Sequence, residues 1–259
     1  MQLSYVTANL IGQASGWSGD DDWGSLAERM TAETTPENFR EICRSVKSMG
    51  FEGIEIYTGH CSYLQRGTDY ARAIREVCED EGLAVVGYAG GFGLPDGTRD
   101  DWTRTFAMCR ALGTKLMTGG IIGDWDVAAD MLRDSDLVIA YENHPEKNAD
   151  EVLAKIEGNE DVIKVGLDTG NITARGGDAL EAAKRLYDHI AHVHLKDVRE
   201  AGAHNTCALG RGVAKVRATV EYLAERGYGG WASIEHEPFD RNPDPEVADS
   251  LKAVRDWLL

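Results

Sequence analysis

Short β-rich runs alternate with amphipathic helical patterns along the whole chain, and eight of each can be counted. This alternation is typical of βαβ units, in which a helix connects two parallel strands of one sheet. Eight such units predict a closed (β/α)8 barrel of the α/β class, the TIM-barrel architecture. No GxGxxG turn follows the first run, which disfavours an open dinucleotide-binding sheet. A length of 259 residues suits one barrel, so we expect a single domain over residues 1–259.

The predicted strands are runs rich in apolar and β-branched residues. They are Leu3–Leu10, Gly53–Tyr57, Ala84–Tyr88, Lys115–Thr118, Leu137–Glu142, Val162–Asp168, Ile190–Lys196 and Ala232–Glu235. The predicted helices show amphipathic spacing, and several end before a Gly suited to the left-handed closing position. They are Pro36–Ser48, Tyr70–Asp80, Asp101–Leu112, Asp124–Leu132, Asp150–Ile156, Ala179–Tyr187, Val216–Arg226 and Pro245–Leu258.

The longest predicted connection runs from Ile11 to Thr34, after the first strand, and carries Trp17 and Trp23 among Gly, Ser and Asp. Connections of this length in a compact barrel are usually functional or mobile. Two interpretations stay open for it. We favour a flap over the active site, and the alternative is an exposed loop held down by the two aromatic side chains.

The composition excludes several classes of partner. The net charge is −17, from 44 acidic and 27 basic residues, and such a surface repels phosphate backbones, so no nucleic acid is expected. No apolar stretch approaches the length of about 18 residues that a membrane span needs, and the N-terminus does not resemble a signal peptide. The five cysteines include no CxxC pair. We therefore expect free thiols in a reducing cytoplasm.

Four consecutive strands near the C-terminus each end in a potential metal ligand. In a (β/α)8 barrel the reacting groups lie at the C-terminal ends of the strands, and alternate residues of a strand point into the barrel. Counting back along each strand places four side chains inward at this end, which we call the mouth. They are Glu142, Asp168, His194 and Glu235.

Taken singly, each of these four has an ordinary structural explanation, such as a helix-capping carboxylate or a hydrogen-bonded core histidine. Together they would hold like charges in one mouth, at a cost of several kcal/mol for each uncompensated charge. An oxygen-rich set with one nitrogen suits a divalent cation, with Mn²⁺ first and Mg²⁺ or Co²⁺ as alternatives, better than a structural zinc site.

Further residues of the mouth are candidates for contact with a substrate. His144 and Lys196 have inward parity two residues beyond a ligand, and we expect one of them to be an additional acid or base. Glu55 points inward on the second strand and is expected next to the ligands. Tyr57, His60 and Arg211 are expected substrate contacts. Glu237 could reach the mouth, whereas His236 has outward parity and is expected to be structural.

Four segments resemble the xylose isomerase-like TIM barrel superfamily, and more narrowly its sugar phosphate isomerase/epimerase group (AP endonuclease family 2). They are Tyr141-Glu142-Asn143-His144, Gly166-Leu167-Asp168-Thr169-Gly170-Asn171, His192-Val193-His194-Leu195-Lys196-Asp197 and Ser233-Ile234-Glu235-His236-Glu237. The resemblance implies that the four predicted ligands coordinate the metal. It also implies that Glu142 and Glu235 move the proton at the reacting carbon, as in the epimerase members.

The resemblance is incomplete at three positions. The ketose 3-epimerases of the group have a His where this chain has Asn171 and a second Glu where it has Asn148. They also have a Gly-Glu pair at Lys196-Asp197. These differences disfavour epimerisation of a free ketose, and they leave Asn171 as an expected substrate contact.

The leading hypothesis is a metal-dependent isomerase or epimerase of a small keto sugar or cyclitol, because a cation that stabilises an enediolate assists removal of the neighbouring proton. The alternative is a lyase, resembling either an inosose dehydratase or a 3-keto-glycoside C-deglycosidase. Two other classes are disfavoured. A DNA-repair endonuclease of this barrel type needs a basic DNA-binding face and several more His ligands, whereas this chain has a net charge of −17 and seven His in all. The other disfavoured class is a non-catalytic binding barrel. A homo-oligomer is expected from the resemblance.

Overall fold

Eight parallel strands close into a barrel in the computed structural model, which describes residues 1–20 and 22–259. The barrel strands are β1 (Gln2–Val6), β2 (Gly53–Tyr57), β3 (Ala84–Gly93), β4 (Leu116–Ile122), β5 (Val138–Glu142), β6 (Ile163–Asp168), β7 (Ile190–Leu195) and β10 (Trp231–Ile234). They are hydrogen-bonded in the order β1-β10-β7-β6-β5-β4-β3-β2, which closes between β2 and β1. The predicted (β/α)8 barrel is confirmed.

The helices surround the barrel and cover the outward faces of its strands. They are α1 (Trp23–Glu33), α2 (Pro36–Met49), α3 (Thr68–Asp80), α4 (Arg99–Ala111), α5 (Trp125–Arg133), α6 (Ala149–Ile156), α7 (Thr169–Ala174), α8 (Ala179–Leu186), α9 (Val216–Glu225) and α10 (Asp244–Trp257). At the start of α2, Thr35 forms a capping box with Asn38, and Gly50 ends the helix in the left-handed conformation. No described helix is long and apolar enough to cross a bilayer.

The first strand ends earlier than predicted, at Val6 rather than Leu10, and continues as a 3₁₀ helix over Thr7–Ser15. Beyond Val6, the side chains of Thr7 and Asn9 replace the backbone of β1 as hydrogen-bond partners of the neighbouring strands. The backbone N–H of Tyr57 donates to Thr7 Oγ1 (2.8 Å), and Asn9 Nδ2 donates to the carbonyl of Ile234 (3.1 Å). Because side-chain groups satisfy the neighbouring strands, the backbone is released from the sheet.

The predicted long loop after β1 is wrong in its secondary structure, because it contains the 3₁₀ helix and α1. The side chain of Asp22 caps α1 by accepting from the backbone of Ser25. Three further elements were not predicted. They are the six-residue α7 and the two-stranded hairpin of β8 (Asp197–Val198) and β9 (Thr206–Cys207). All are too short for a periodic signal.

Strands β3 and β4 extend beyond their predicted ends into glycine-rich segments, where Gly90 pairs with Gly119 and Gly91 with Gly120. Glycine is depleted in strands, so the sequence signal ended too early. The five cysteines are buried and free, as expected.

Gly119 and Gly120 provide a matched test of this packing. At Gly119 φ is +126°, and an added Cβ would overlap the carbonyl oxygen of Gly90, whereas a Cβ at Gly120 meets no atom within 4 Å. We expect Gly119→Ala to lower the free energy of unfolding by about 1–3 kcal/mol, and Gly120→Ala to change it by less than about 0.5 kcal/mol. Urea unfolding midpoints measure both, and equal midpoints would contradict the strand geometry.

Candidate metal centre and mouth cavity

The four predicted ligands meet at the mouth of the barrel. Glu142 and Asp168 are the last residues of β5 and β6, His194 is the penultimate residue of β7, and Glu235 directly follows β10. Each offers one ligand atom, and these atoms all lie within 4.8 Å of one another. All four side chains are buried. The barrel therefore brings together four residues that are distant in sequence, at the positions that strand parity predicted.

Three potential metal-ligand atoms of this cluster make no hydrogen bond. Asp168 Oδ2, His194 Nδ1 and Glu235 Oε2 are buried and make no hydrogen bond, although His194 Nδ1 lies 3.1 Å from Glu235 Oε2 and 3.3 Å from Glu142 Oε1. Lys196 Nζ lies 3.2 Å from Asp168 Oδ2 and 3.1 Å from Glu235 Oε2, but one ammonium does not balance three buried carboxylates, and a cation in the cluster would. The residues present fit a divalent metal of the oxygen-preferring type.

Other atoms of the same residues are already held in place. Asp168 Oδ1 accepts from the backbone of Asn171 (2.7 Å), and Glu142 Oε1 accepts from Asn171 Nδ2 (3.0 Å). Asn171, predicted as a substrate contact, borders the cavity and also orients Glu142. Burial raises the pKa of Glu142, but His144 and His194 outweigh it and lower that pKa below its ordinary value.

Beneath the cluster, Glu55 accepts hydrogen bonds from several side chains. His194 Nε2 lies 3.0 Å and His192 Nε2 3.1 Å from Glu55 Oε2, and the hydroxyls of Ser233 and Thr118 donate to the same carboxylate. Burial raises the pKa of Glu55, yet the two histidines lower it well below its usual range. With His194 Nε2 donating to Glu55, the lone pair of Nδ1 is left for the cluster.

Lys196 lies among carboxylates at the same end of the barrel. Its Nζ is 3.2 Å from Asp168 Oδ2, 3.1 Å from Glu235 Oε2 and 3.0 Å from Glu237 Oε2. Burial lowers the pKa of Lys196, but these three carboxylates raise it well above its ordinary value. Burial and the neighbouring Glu235 raise the pKa of Glu237. A buried ammonium and a carboxyl group inclined to hold a proton thus stand next to each other.

A cavity of about 610 Å³ opens above these groups. His144 lines it, with Nδ1 3.8 Å from Glu142 Oε2 and a half-exposed side chain. Tyr57 also lines it and accepts a hydrogen bond of 2.6 Å from Trp23 Nε1. The segment predicted as a flap therefore contributes Trp23 to the cavity wall, whereas Trp17 lines a different cavity.

Three predicted substrate contacts are corrected by the structure. Glu55 lies below the cavity rather than on its surface. His60 is buried beside Thr34, with Nδ1 3.1 Å from its hydroxyl, and lines a separate cavity on the flank of the barrel. Arg211 is exposed and pairs with Asp249 at 3.4 Å. His60 and Arg211 both lie in connections, where strand parity no longer indicates a direction.

Other cavity-lining residues were not predicted as site residues. They include Trp125 at the start of α5, His204 in the β8–β9 hairpin and Phe239 after β10. Aromatic residues just beyond strand ends were the available signal. Glu237 reaches the mouth as expected, and His236 hydrogen-bonds Thr206 and Glu246 away from it, in keeping with a structural role.

Comparison with known proteins assigns the family. Residues 43–257 match the model of the xylose isomerase-like TIM barrel family. The match covers most of the chain, so the protein belongs to this family.

The chain is similar to an inosose dehydratase from Lacticaseibacillus casei, with 27% identity over 172 residues, 58% of this chain and 52% of the relative. This match thus spans about half the length of the curated relative. Among solved structures, the chain is similar to a xylose isomerase domain protein from Planctomyces limnophilus (TM-score 0.70, 20% identity, 82% of this chain and 90% of the other). A D-allulose 3-epimerase from Methylomonas sp. has a TM-score of 0.69 at 15% identity, over 100% and 98% of the two chains. The two structural matches show the shared fold.

The Glu55–His194 contact generates a prediction about metal affinity. Glu55→Gln keeps the side-chain volume but removes the charge that orients His194, so we expect Mn²⁺ affinity to fall by about 10- to 100-fold. Titration calorimetry with metal-stripped protein measures this. Glu181→Gln, which removes the same charge from the exposed surface of α8, is the control. Equal Mn²⁺ affinities of the two variants would rule out this role for Glu55.

Proposed function

We propose that the protein is a divalent-metal-dependent lyase that eliminates water or another β-substituent from a small keto sugar or cyclitol. The observation that carries this proposal is the buried pair of Lys196 and Glu237 beside the metal-ligand carboxylates. Elimination needs an acid at the leaving group as well as a base at the neighbouring carbon, and this pair offers the acid. The similarity to inosose dehydratases supports the same choice.

Glu142, Asp168, His194 and Glu235 are the proposed ligands, with Mn²⁺ as the first choice and Mg²⁺ or Co²⁺ as alternatives. Oxygen donors with a single imidazole suit these ions. When bound, such an ion supplies positive charge that polarises a substrate carbonyl and favours loss of the neighbouring proton. His194 is held for this role through Nε2, and Asp168 through Oδ1.

His144 is the proposed base. Its imidazole borders the cavity on the β5 side and is solvated enough to exchange its proton with water. It takes the proton next to the carbonyl, the C–H electron pair forms the double bond, and the β C–O bond breaks. The carboxyl group of Glu237 gives its proton to the departing oxygen, and Lys196 Nζ, 3.0 Å from Glu237 Oε2, binds that oxygen and balances the carboxylate that is left.

Isomerisation or epimerisation is the second candidate, because Glu142 and Glu235 both border the cavity and could each carry a proton to or from carbon. The two reactions share the removal of the first proton and differ in whether a proton returns to carbon or a substituent leaves. The expected homo-oligomer and the cytoplasmic setting stay predictions.

Replacing Lys196 separates these alternatives. With Mn²⁺ and an inosose in D₂O, we expect wild type to form an unsaturated or diketone product, and Lys196→Met to form it about 10²- to 10⁴-fold more slowly because the leaving oxygen loses the ammonium that binds it beside its acid. Exchange of the neighbouring C–H for deuterium should persist in the variant, as NMR can follow.

Lys252→Met removes an exposed ammonium from α10 and serves as the control. A wild-type protein that yields only a positional or stereochemical isomer would favour the second candidate. Unchanged product formation by Lys196→Met would remove Lys196 from the mechanism.

Metal binding has its own test, independent of any substrate. A cation that binds only the folded chain stabilises it by about 2.7 kcal/mol at a free concentration of about 100 times Kd. We expect Mn²⁺ to raise the Tm of wild type and of the surface variant Asp249→Asn, but not that of Asp168→Asn. An equal rise in all three proteins would show that the ion binds elsewhere.

A further inference from the structure

The mouth cavity is divided into a polar half and an apolar half. The metal-ligand cluster, Lys196 and Glu237 lie on the side of β5, β6, β7 and β10. The remaining side, which we call the apolar half, is lined by Trp23, Tyr57, Gly91, Gly120, Trp125 and Phe239. The proposed chemistry uses only the polar half, so the apolar half is left without an assigned role.

Two aromatic groups form opposing walls of the apolar half. Trp23 packs edge-on against Tyr57 and Phe239, with ring centroids 5.8 and 6.2 Å apart, near the ends of β10, β1 and β2. Trp125 packs against Tyr141 at 4.9 Å, near the ends of β4 and β5. In a ring of eight strands β1 and β5 are diametrically opposite. The two aromatic groups therefore stand on opposite sides of the mouth.

Between the walls, the ends of β3 and β4 consist mainly of glycine. Gly91 and Gly120 are paired across the two strands and both line the cavity. A Cβ built on Gly120 meets no atom within 4 Å, so open space begins directly at its backbone. The basic group on this side is Lys155, whose Nζ lies 5.0 Å from the centroid of the Trp125 ring. Aromatic side chains and glycine backbone thus line this side of the cavity.

We propose that the apolar half is a subsite for a planar aromatic group carried by the substrate. The preferred substrate is then a keto sugar or cyclitol with an aryl substituent, and an unsubstituted inosose occupies the polar half alone. Aromatic side chains that line a cavity favour a flat π system by stacking and edge contacts, and the cavity volume of about 610 Å³ lies within the range that holds drug-sized ligands. The identity of the sugar part rests on the proposed function, whereas the aromatic preference rests on the walls alone.

Equilibrium binding tests the subsite without turnover. The probes are phenyl β-D-glucopyranoside and methyl β-D-glucopyranoside, titrated calorimetrically into the Mn²⁺-loaded protein up to millimolar concentration. They share the sugar and differ in the aromatic ring. We expect the phenyl glucoside to bind at least about tenfold more tightly.

Gly120→Val locates the effect, because its side chain enters the open space between the walls. We expect this variant to lose the preference for the phenyl glucoside and to keep its affinity for the methyl glucoside within about twofold. Gly229→Val is the matched control: its Cβ also meets nothing within 4 Å, and it lies in the turn before β10, at the opposite end of the barrel. It should retain the wild-type preference.

Equal binding of the two glucosides, or no measurable binding of the phenyl glucoside, would overturn the subsite and leave the walls to hold the sugar ring itself. An equal loss of both affinities in Gly120→Val would show that the mouth is not divided. The preference should persist in Lys196→Met. An aromatic preference without any metal-dependent elimination would therefore refute the proposed function and not the subsite.

Discussion

The structure of the mouth depends on the balance of buried charge around three carboxylates, those of Glu142, Asp168 and Glu235. Ionised groups taken out of water cost several kcal/mol each unless they are paired. His194 and Lys196 lie at ion-pair distance from members of this group, and Glu55 beneath binds the far side of the His194 ring. Asp168 Oδ2, His194 Nδ1 and Glu235 Oε2 make no hydrogen bond, and all three belong to residues of this cluster. The proposed cation completes the same balance.

This charge balance also explains why one side of the mouth is polar and the other is not. The strands that supply ligands are neighbours in the barrel, so the counter-charges collect along that arc. The opposite arc, formed by β1 to β4, carries glycines and aromatic side chains. A substrate that contacts both arcs would have a carbonyl and hydroxyl groups at one end and apolar surface at the other.

Part of the candidate site could be read from strand parity, and part could not. Glu142, Asp168 and Glu235 stand at strand ends, where a period of two and the barrel rule together give both direction and place. Glu55 has the predicted inward direction and lies next to the ligand His194, but beneath the cavity rather than on its surface. Its register with β3 shifts between Ile54 and Glu55, and Gly87 lies beside its carboxylate. His60 and Arg211 were misplaced because turns carry no such period.

The sequence by itself determined the eightfold alternation, the family and the four-residue cluster, because these follow from local periodicity and from residue types at strand ends. Tertiary structure alone decided how Lys196 is shared among its carboxylates, that Trp23 and Trp125 line one cavity, and that Gly120 borders open space. These features depend on barrel closure and on the paths of the connections. Both are set by packing between segments far apart in the chain, which no local pattern records.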